Sequence, residues 1–141
     1  MKQSGTVNSS ETLRLKAVGW AIHADDLTSL QQRLRGQGVE LGEIRAGARN
    51  SPDGTHLAWK SMGYAAVTRL LPFFIQWDPA TAHPSATSPA GCKLTGLFLQ
   101  DRDPDRLRKA LLAAKLNVEV REAQDSAVRI SLASPKGNVN F

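Results

Sequence analysis

The side chains with the widest chemical range near neutral pH in this sequence are three histidines, His23, His56 and His83, and a single cysteine, Cys92. Imidazole titrates close to neutrality, so it can act as base, proton donor or metal ligand. His23 stands at the edge of the first expected strand, two residues before Asp25, and reads as a surface or capping residue. His56 follows an Asp53-Gly54 reversal and points away from Trp59, which suits a surface position better than ligation. His83 precedes Pro84 in a connector rich in Pro, Ser, Thr and Ala. It can hang over the mouth of a cavity as a base or donor, and it is the single catalytic candidate, although no nucleophile neighbours it. Cys92 has no histidine next to it in the chain and reads as an inert, buried thiol.

Binding is a stronger signal than catalysis. Trp59, Phe74 and Trp77 fall on two adjacent expected strands, and Arg49 and Lys60 can bring charge to the rim of a pocket they line. Pockets usually join an apolar wall to a few polar groups. Arg49, Trp59, Lys60, Phe74, Trp77 and His83 are therefore the expected ligand-binding set, for a small molecule of aromatic or anionic character. The competing reading places the three aromatics in the core, with Trp20. Gly36 and Gly38 end a helix and lack the strand-loop-helix setting of a phosphate cradle. Arg106, Arg108 and Lys109 read as a solvated helix face.

These side chains need elements to hold them. Leu13–Ile22 alternates at first and then turns apolar on both faces, as a central strand would. Asp25-Asp26 supplies a cap for a helix whose stripe is Leu27, Leu30 and Leu34. Val39–Ile44 reads as a short strand. Ser51-Pro52-Asp53-Gly54 is a reversal before the returning strand Leu57–Ser61, on which Leu57 and Trp59 share a face. Met62–Arg69 is an irregular link, and Leu70–Trp77 is the next strand. From Lys93 the same order recurs: a strand, a helix opened by Asp103-Pro104 and striped by Leu107, Leu111 and Ala114, then strands around Val118–Val120, Val128–Leu132 and Asn138–Phe141.

The pattern predicts an α+β fold of two tandem βαβββ modules, with curved mixed sheets around a shared cavity and helices outside. A ferredoxin-like pair or a split sandwich is the rival architecture. The expected boundaries are a frayed tail at 1–12, a first module at 13–78, a connector at 79–92 and a second module at 93–141. The 141 residues, 41% of them hydrophobic, suffice for one domain with a real core. The net charge of +5 comes from interspersed acids and bases. Nucleic acid would need a concentrated basic patch, which argues against that partner. One cysteine excludes an internal disulfide and fits a reducing, cytoplasmic setting. No apolar run approaches the length of about 20 residues that spans a membrane, and the first residues lack a signal-peptide core.

With two consecutive βαβββ units, the chain resembles the vicinal oxygen chelate superfamily, and within it the glyoxalase-like domain proteins. The resemblance is carried by GWAIHADDL, by RNSPDGTHLAWK, by LLPFFIQWD with HPSATSPAGCKL after it, and by SPKGNVNF, and it covers Ala17 to Phe141. It implies either metal-dependent lyase, isomerase or dioxygenase chemistry, or plain ligand binding. In metal-dependent members the first strand of each unit gives a His and the last strand a Glu. The matching positions here carry Gly19, Gly96 and, near the end, Phe141, with Gln76 and Asp78 the nearest residues in the central strand. The expectation is therefore a small-molecule-binding protein with no metal and no cofactor. An enzyme with unusual ligands and a homo-oligomeric interaction module are the alternatives. The group often carries a further unit ahead of this one, and a bare sheet edge in its place would favour a homodimer.

Overall fold

The computed structural model describes residues 15–65 and 70–141. The first half contains β1 (Ala21–His23), α1 (Leu27–Gly36), β2 (Arg45–Asn50), β3 (His56–Met62) and β4 (Phe73–Trp77). The second contains β5 (Lys93–Asp101), α2 (Pro104–Ala113), β6 (Glu119–Glu122), β7 (Ala127–Ser134) and β8 (Gly137–Asn140). The order is βαβββ twice, and each half builds a four-stranded sheet of mixed direction. The fold class is the one the pattern predicts.

Local chemistry explains both helices. The Asp26 carboxylate accepts hydrogen bonds from the Ser29 N–H at 3.2 Å and the Ser29 hydroxyl at 2.8 Å, which cap α1. The same bonds, the hydroxyl one foremost, hold Asp26 below the usual carboxylate range. Leu27 N–H donates to Gln76 Oε1 at 2.8 Å, so β4 satisfies a second free donor of the first turn. Leu27 and Leu34 are buried against Met62 and Phe74. Burying a leucine of this kind contributes roughly 1.5–3 kcal/mol. α2 differs: Pro104 occupies its first turn, and Asp103 makes no side-chain capping bond. Asp103 N–H instead donates to Asp101 Oδ2 at 3.3 Å. Leu107 and Leu111 pack on Leu99, Val120 and Val128.

The two cores meet. Leu116 packs against both of them, Ala114 joins the first, and Tyr64 Oη donates to the Ala110 carbonyl at 3.2 Å. The two helices also approach each other, Arg33 Nη1 of α1 donating to the Ala113 carbonyl of α2 at 3.5 Å. Ala17 pairs with Val128 of β7, which links the sheets near β1.

Several elements depart from expectation. The Leu13–Ile22 strand shrinks to Ala21–His23 with one bridge at Ala17, and residues 13–14 lie outside the described ones. It is an edge strand rather than a central one, because only β4 pairs with it. Its apolar residues Leu15 and Val18 are consequently exposed. Val39–Ile44 is not a strand; Leu41 makes a single bridge to Tyr64, and β2 starts at Arg45. The strand expected from Leu70 begins at Phe73, since Pro72 has no N–H to give a ladder. Of the expected link 62–69, Met62 closes β3, and residues 66–69 lie outside the described ones.

The halves share their element order but not their sheet order, which runs β1-β4-β3-β2 in one and β6-β5-β7-β8 in the other. β5 has slipped between β6 and β7. The loop that must then cross its end is fastened to it: Ala123 N–H donates to Asp101 O at 2.9 Å, Gln100 Nε2 to Asp125 O at 3.1 Å, and Arg102 Nε to Gln124 O at 2.8 Å. The Ser126 hydroxyl also bonds the Asp101 carboxylate and is the main reason that carboxyl sits below its ordinary range. The two sheets do not close, so the expected hollow is an open face. Among the described residues, no helix is long and apolar enough to cross a membrane.

Candidate functional site

Strand register decides which side chains meet. Trp59 pairs with Trp77, and Gly47 with Trp59. His23 pairs with Ile75, which shares a face with Trp77 by two-residue alternation. Arg45, Gly47 and Arg49 fall on that same face of β2. This is the face turned away from α1.

The rings on it form a continuous series. Trp59 meets Trp77 with centroids 5.8 Å apart at 63°. Trp77 meets His83 at 5.7 Å and 73°, and His83 meets His23 at 6.2 Å and 69°. All three contacts are edge-to-face, the arrangement that ring quadrupoles favour. His83 reaches the face because the connector after β4 folds back over it: Ala80 N–H donates to Asp78 Oδ1 at 2.8 Å, and Thr81 N–H to Asp78 O at 2.9 Å. His83 then caps a short 3-10 turn, Pro84–Ala86, its Nδ1 accepting the Ser85 N–H at 3.1 Å. At the far end, His23 Nε2 lies 3.0 Å from Asp25 Oδ1.

Gly47 makes room for the series. A methyl group at this position would stand 2.6–2.7 Å from three atoms of the Trp59 indole, so the ring lies directly across β2. Arg45 and Arg49 flank Gly47, both exposed, and neither guanidinium has a hydrogen-bond or ion-pair partner among the described residues. A groove of about 430 Å³ on these strands is lined by Ala46, Ala48, Ala58, Lys60 and Gln76, which by alternation belong to the opposite, α1-side face, together with Gly47, Trp59 and Trp77.

Of the expected binding set, Arg49, Trp59, Trp77 and His83 come together on this face. Phe74 does not. It is 1% exposed, lies on the opposite face with Met62, and belongs to the core under α1. One step along a strand reverses a side chain, so Phe74 cannot join Trp77 three residues later. Lys60 also points to the α1 side, opposite Gln76 and near enough to Asp26 to help lower that carboxyl; it borders the groove without joining the ring series. His56 is a surface residue bonded to Asn50 Oδ1 at 2.9 Å. Cys92 is exposed, contrary to the buried position expected. Trp20 is partly buried against the second core, and its indole N–H donates to the Leu70 carbonyl at 2.7 Å.

Sequence reasoning did not group His23, Gly47 and Arg45 with the rings; His23 is exposed, as expected of a surface residue, and meets His83 on this face. A glycine inside a strand does signal close approach of another group, and Gly47 carried that signal. It also missed a cleft of about 500 Å³ at the module junction, lined by Val39, Glu40, Tyr64, Leu71, Arg106 and Ala110 among others. Burial there raises the Tyr64 phenol.

Two open mixed sheets, each with one helix packed on one face, define a class of domain, and the first of them carries the ring series. The chain belongs to the glyoxalase-like domain family, whose model matches residues 3–116. A solved structure of similar fold is a hypothetical protein from Staphylococcus aureus, 12% identical with a TM-score of 0.65 over 78% of this chain. The match covers 54% of that chain, so the present chain spans about half its length. No curated protein matches. The divalent ion of metal-dependent members does not fit here. Gly19 and Gly96 offer no ligand, and among the described residues no three His, Cys, Asp or Glu side chains converge.

Proposed function

We propose that this is a small-molecule-binding protein whose site is the ring series Trp59, Trp77, His83 and His23 with the arginines of β2. The observation that carries this reading is the coincidence on one face of four edge-on rings and two guanidinium groups that have no partner among the described residues. A flat ligand gains ring contact along the series, and its negative charge gains Arg49 and Arg45. Each such aromatic contact is worth about 0.5–1.5 kcal/mol beyond the area it buries.

The other wall of the site comes from a second copy of the chain. Three facts support this. The face is open, Phe73 on it is 45% exposed although strongly apolar, and the match covers only 54% of the similar solved chain. A homodimer would cover the face and enclose the ligand.

The test is tryptophan fluorescence and thermal unfolding with a series of aromatic carboxylates. A ligand that binds only the folded chain must raise its melting temperature. Trp77→Ala and Arg49→Ala should each weaken the effect at least several-fold. A Tm unmoved by every carboxylate, with a sharply monomeric sedimentation profile from micromolar upward, overturns the proposal.

A further inference from the structure

The two imidazoles at the end of the ring series share one neutral tautomer, with the proton on Nε2, but engage opposite ring nitrogens. His83 Nδ1 accepts the Ser85 backbone N–H at 3.1 Å. A backbone N–H can only donate, so this nitrogen carries the lone pair, and in the neutral ring the proton sits on Nε2. The Ser85 hydroxyl, 2.7 Å away, is a second partner of the same Nδ1. At His23 it is the other nitrogen that has the partner. Its Nε2 faces Asp25 Oδ1 at 3.0 Å. A carboxylate oxygen can only accept, so Nε2 carries the proton and Nδ1 keeps the lone pair. Neither His83 Nε2 nor His23 Nδ1 has a partner among the described residues. The face therefore presents one free donor and one free acceptor on rings 6.2 Å apart, beside the Trp77 platform.

We infer that this pair selects a ligand whose flat ring carries a donor next to an acceptor on one edge, as in a cyclic amide with N–H adjacent to C=O. The C=O takes the His83 Nε2–H, and the N–H gives to His23 Nδ1. The ring lies along Trp77, and an anionic substituent at its far end is left for the β2 arginines. A plain aromatic acid satisfies the rings and the cations but leaves both imidazole nitrogens unmatched. This inference rests on the reading of the ring series as a binding face and adds the chemistry of one edge to it.

The probes are a pyridone carboxylate, its N-methyl derivative and benzoate, each titrated into the wild-type chain above pH 7.5 and followed by tryptophan fluorescence. The N-methyl derivative keeps the ring and the charge, loses the donor and adds one methyl at that edge. The wild-type chain should bind the pyridone about fivefold tighter than its N-methyl form, the usual scale for one partly exposed hydrogen bond. His23→Phe keeps a ring in place and removes the acceptor, so it should erase that preference while retaining benzoate binding. His83→Phe should weaken both pyridones relative to benzoate. Equal affinity for the pyridone and its N-methyl form, or a preference that survives His23→Phe, overturns the inference and leaves the binding face standing if benzoate still binds through Arg49. If none of the three probes perturbs the fluorescence, the binding face falls, and the inference with it.

Discussion

Replacing Gly47 with alanine tests the geometry of the ring face most directly. The added methyl would come within 2.6 Å of Trp59 Cε2 and 2.7 Å of Cζ2 and Nε1, far inside van der Waals contact. The indole cannot slide away freely, because Trp77 meets it edge-on at 5.8 Å. Either the strand shifts or the ring swings out and gives up that pairing. Overpacking of this kind costs about 1–3 kcal/mol. The unfolded chain offsets part of it, since alanine has less freedom to lose than glycine, by about 0.4–1 kcal/mol. The net expectation is a loss of roughly 1 kcal/mol, or about 3 °C in Tm for a chain of this size. The decisive assay is a double-mutant cycle read by urea unfolding. In a Trp59→Ala background the clash has no partner, so Gly47→Ala should become neutral or slightly stabilising. The difference between the two backgrounds is the Gly47–Trp59 coupling. Near-ultraviolet circular dichroism should report the displaced indole only when Trp59 is present. An equal cost in both backgrounds, or an unchanged aromatic spectrum, would refute the placement of Trp59 across β2.

The other expectations concern the framework. Asp26→Ala should cost about 1 kcal/mol because it removes two capping bonds, whereas Asp103→Ala should cost under about 0.5 kcal/mol because no such bond exists there; equal losses in denaturant would contradict the two cap geometries. Leu34→Ala, at a fully buried site in α1, should cost about 2–5 kcal/mol, while Leu112→Ala, 70% exposed on α2, should stay within about 0.5 kcal/mol. Asp53 is held at about 2, first by the Ser51 hydroxyl and then by the Thr55 N–H. A carboxyl lowered on folding stabilises fully above its unfolded value near 4, and the benefit disappears as pH falls toward 2. Asp53→Asn should therefore flatten the pH dependence of unfolding between about pH 4 and 2, and a slope identical to that of wild type would remove this turn from the acid response.

The outline of the fold was legible because its signals are local. The Asp26 cap, the 27–30–34 stripe, the Asp53-Gly54 reversal and the 107–111–114 stripe each lie within a few residues, and each element formed where its own chemistry placed it. Alternation along β3 likewise put Trp59 and Lys60 on opposite faces before any sheet was known. Partnership across the chain was not legible. Which strand pairs with β1, and whether β5 sits beside β6 or at an edge, depends on ladder bonds between residues tens of positions apart, and no local pattern encodes them. Phe74 shows the consequence: a strand with apolar residues on both faces does not say which face a helix will cover, and the packing of α1 sent Phe74 inward and left Trp77 outward. The same holds for His23, Gly47 and His83. Their types were visible in the chain, but only the register of β1, β2 and β4 and the fold-back of the connector brought them to one face. Composition and local spacing thus determined the elements. Long-range hydrogen bonding and side-chain burial, which are properties of the assembled sheet, decided which side chains meet on the ring face.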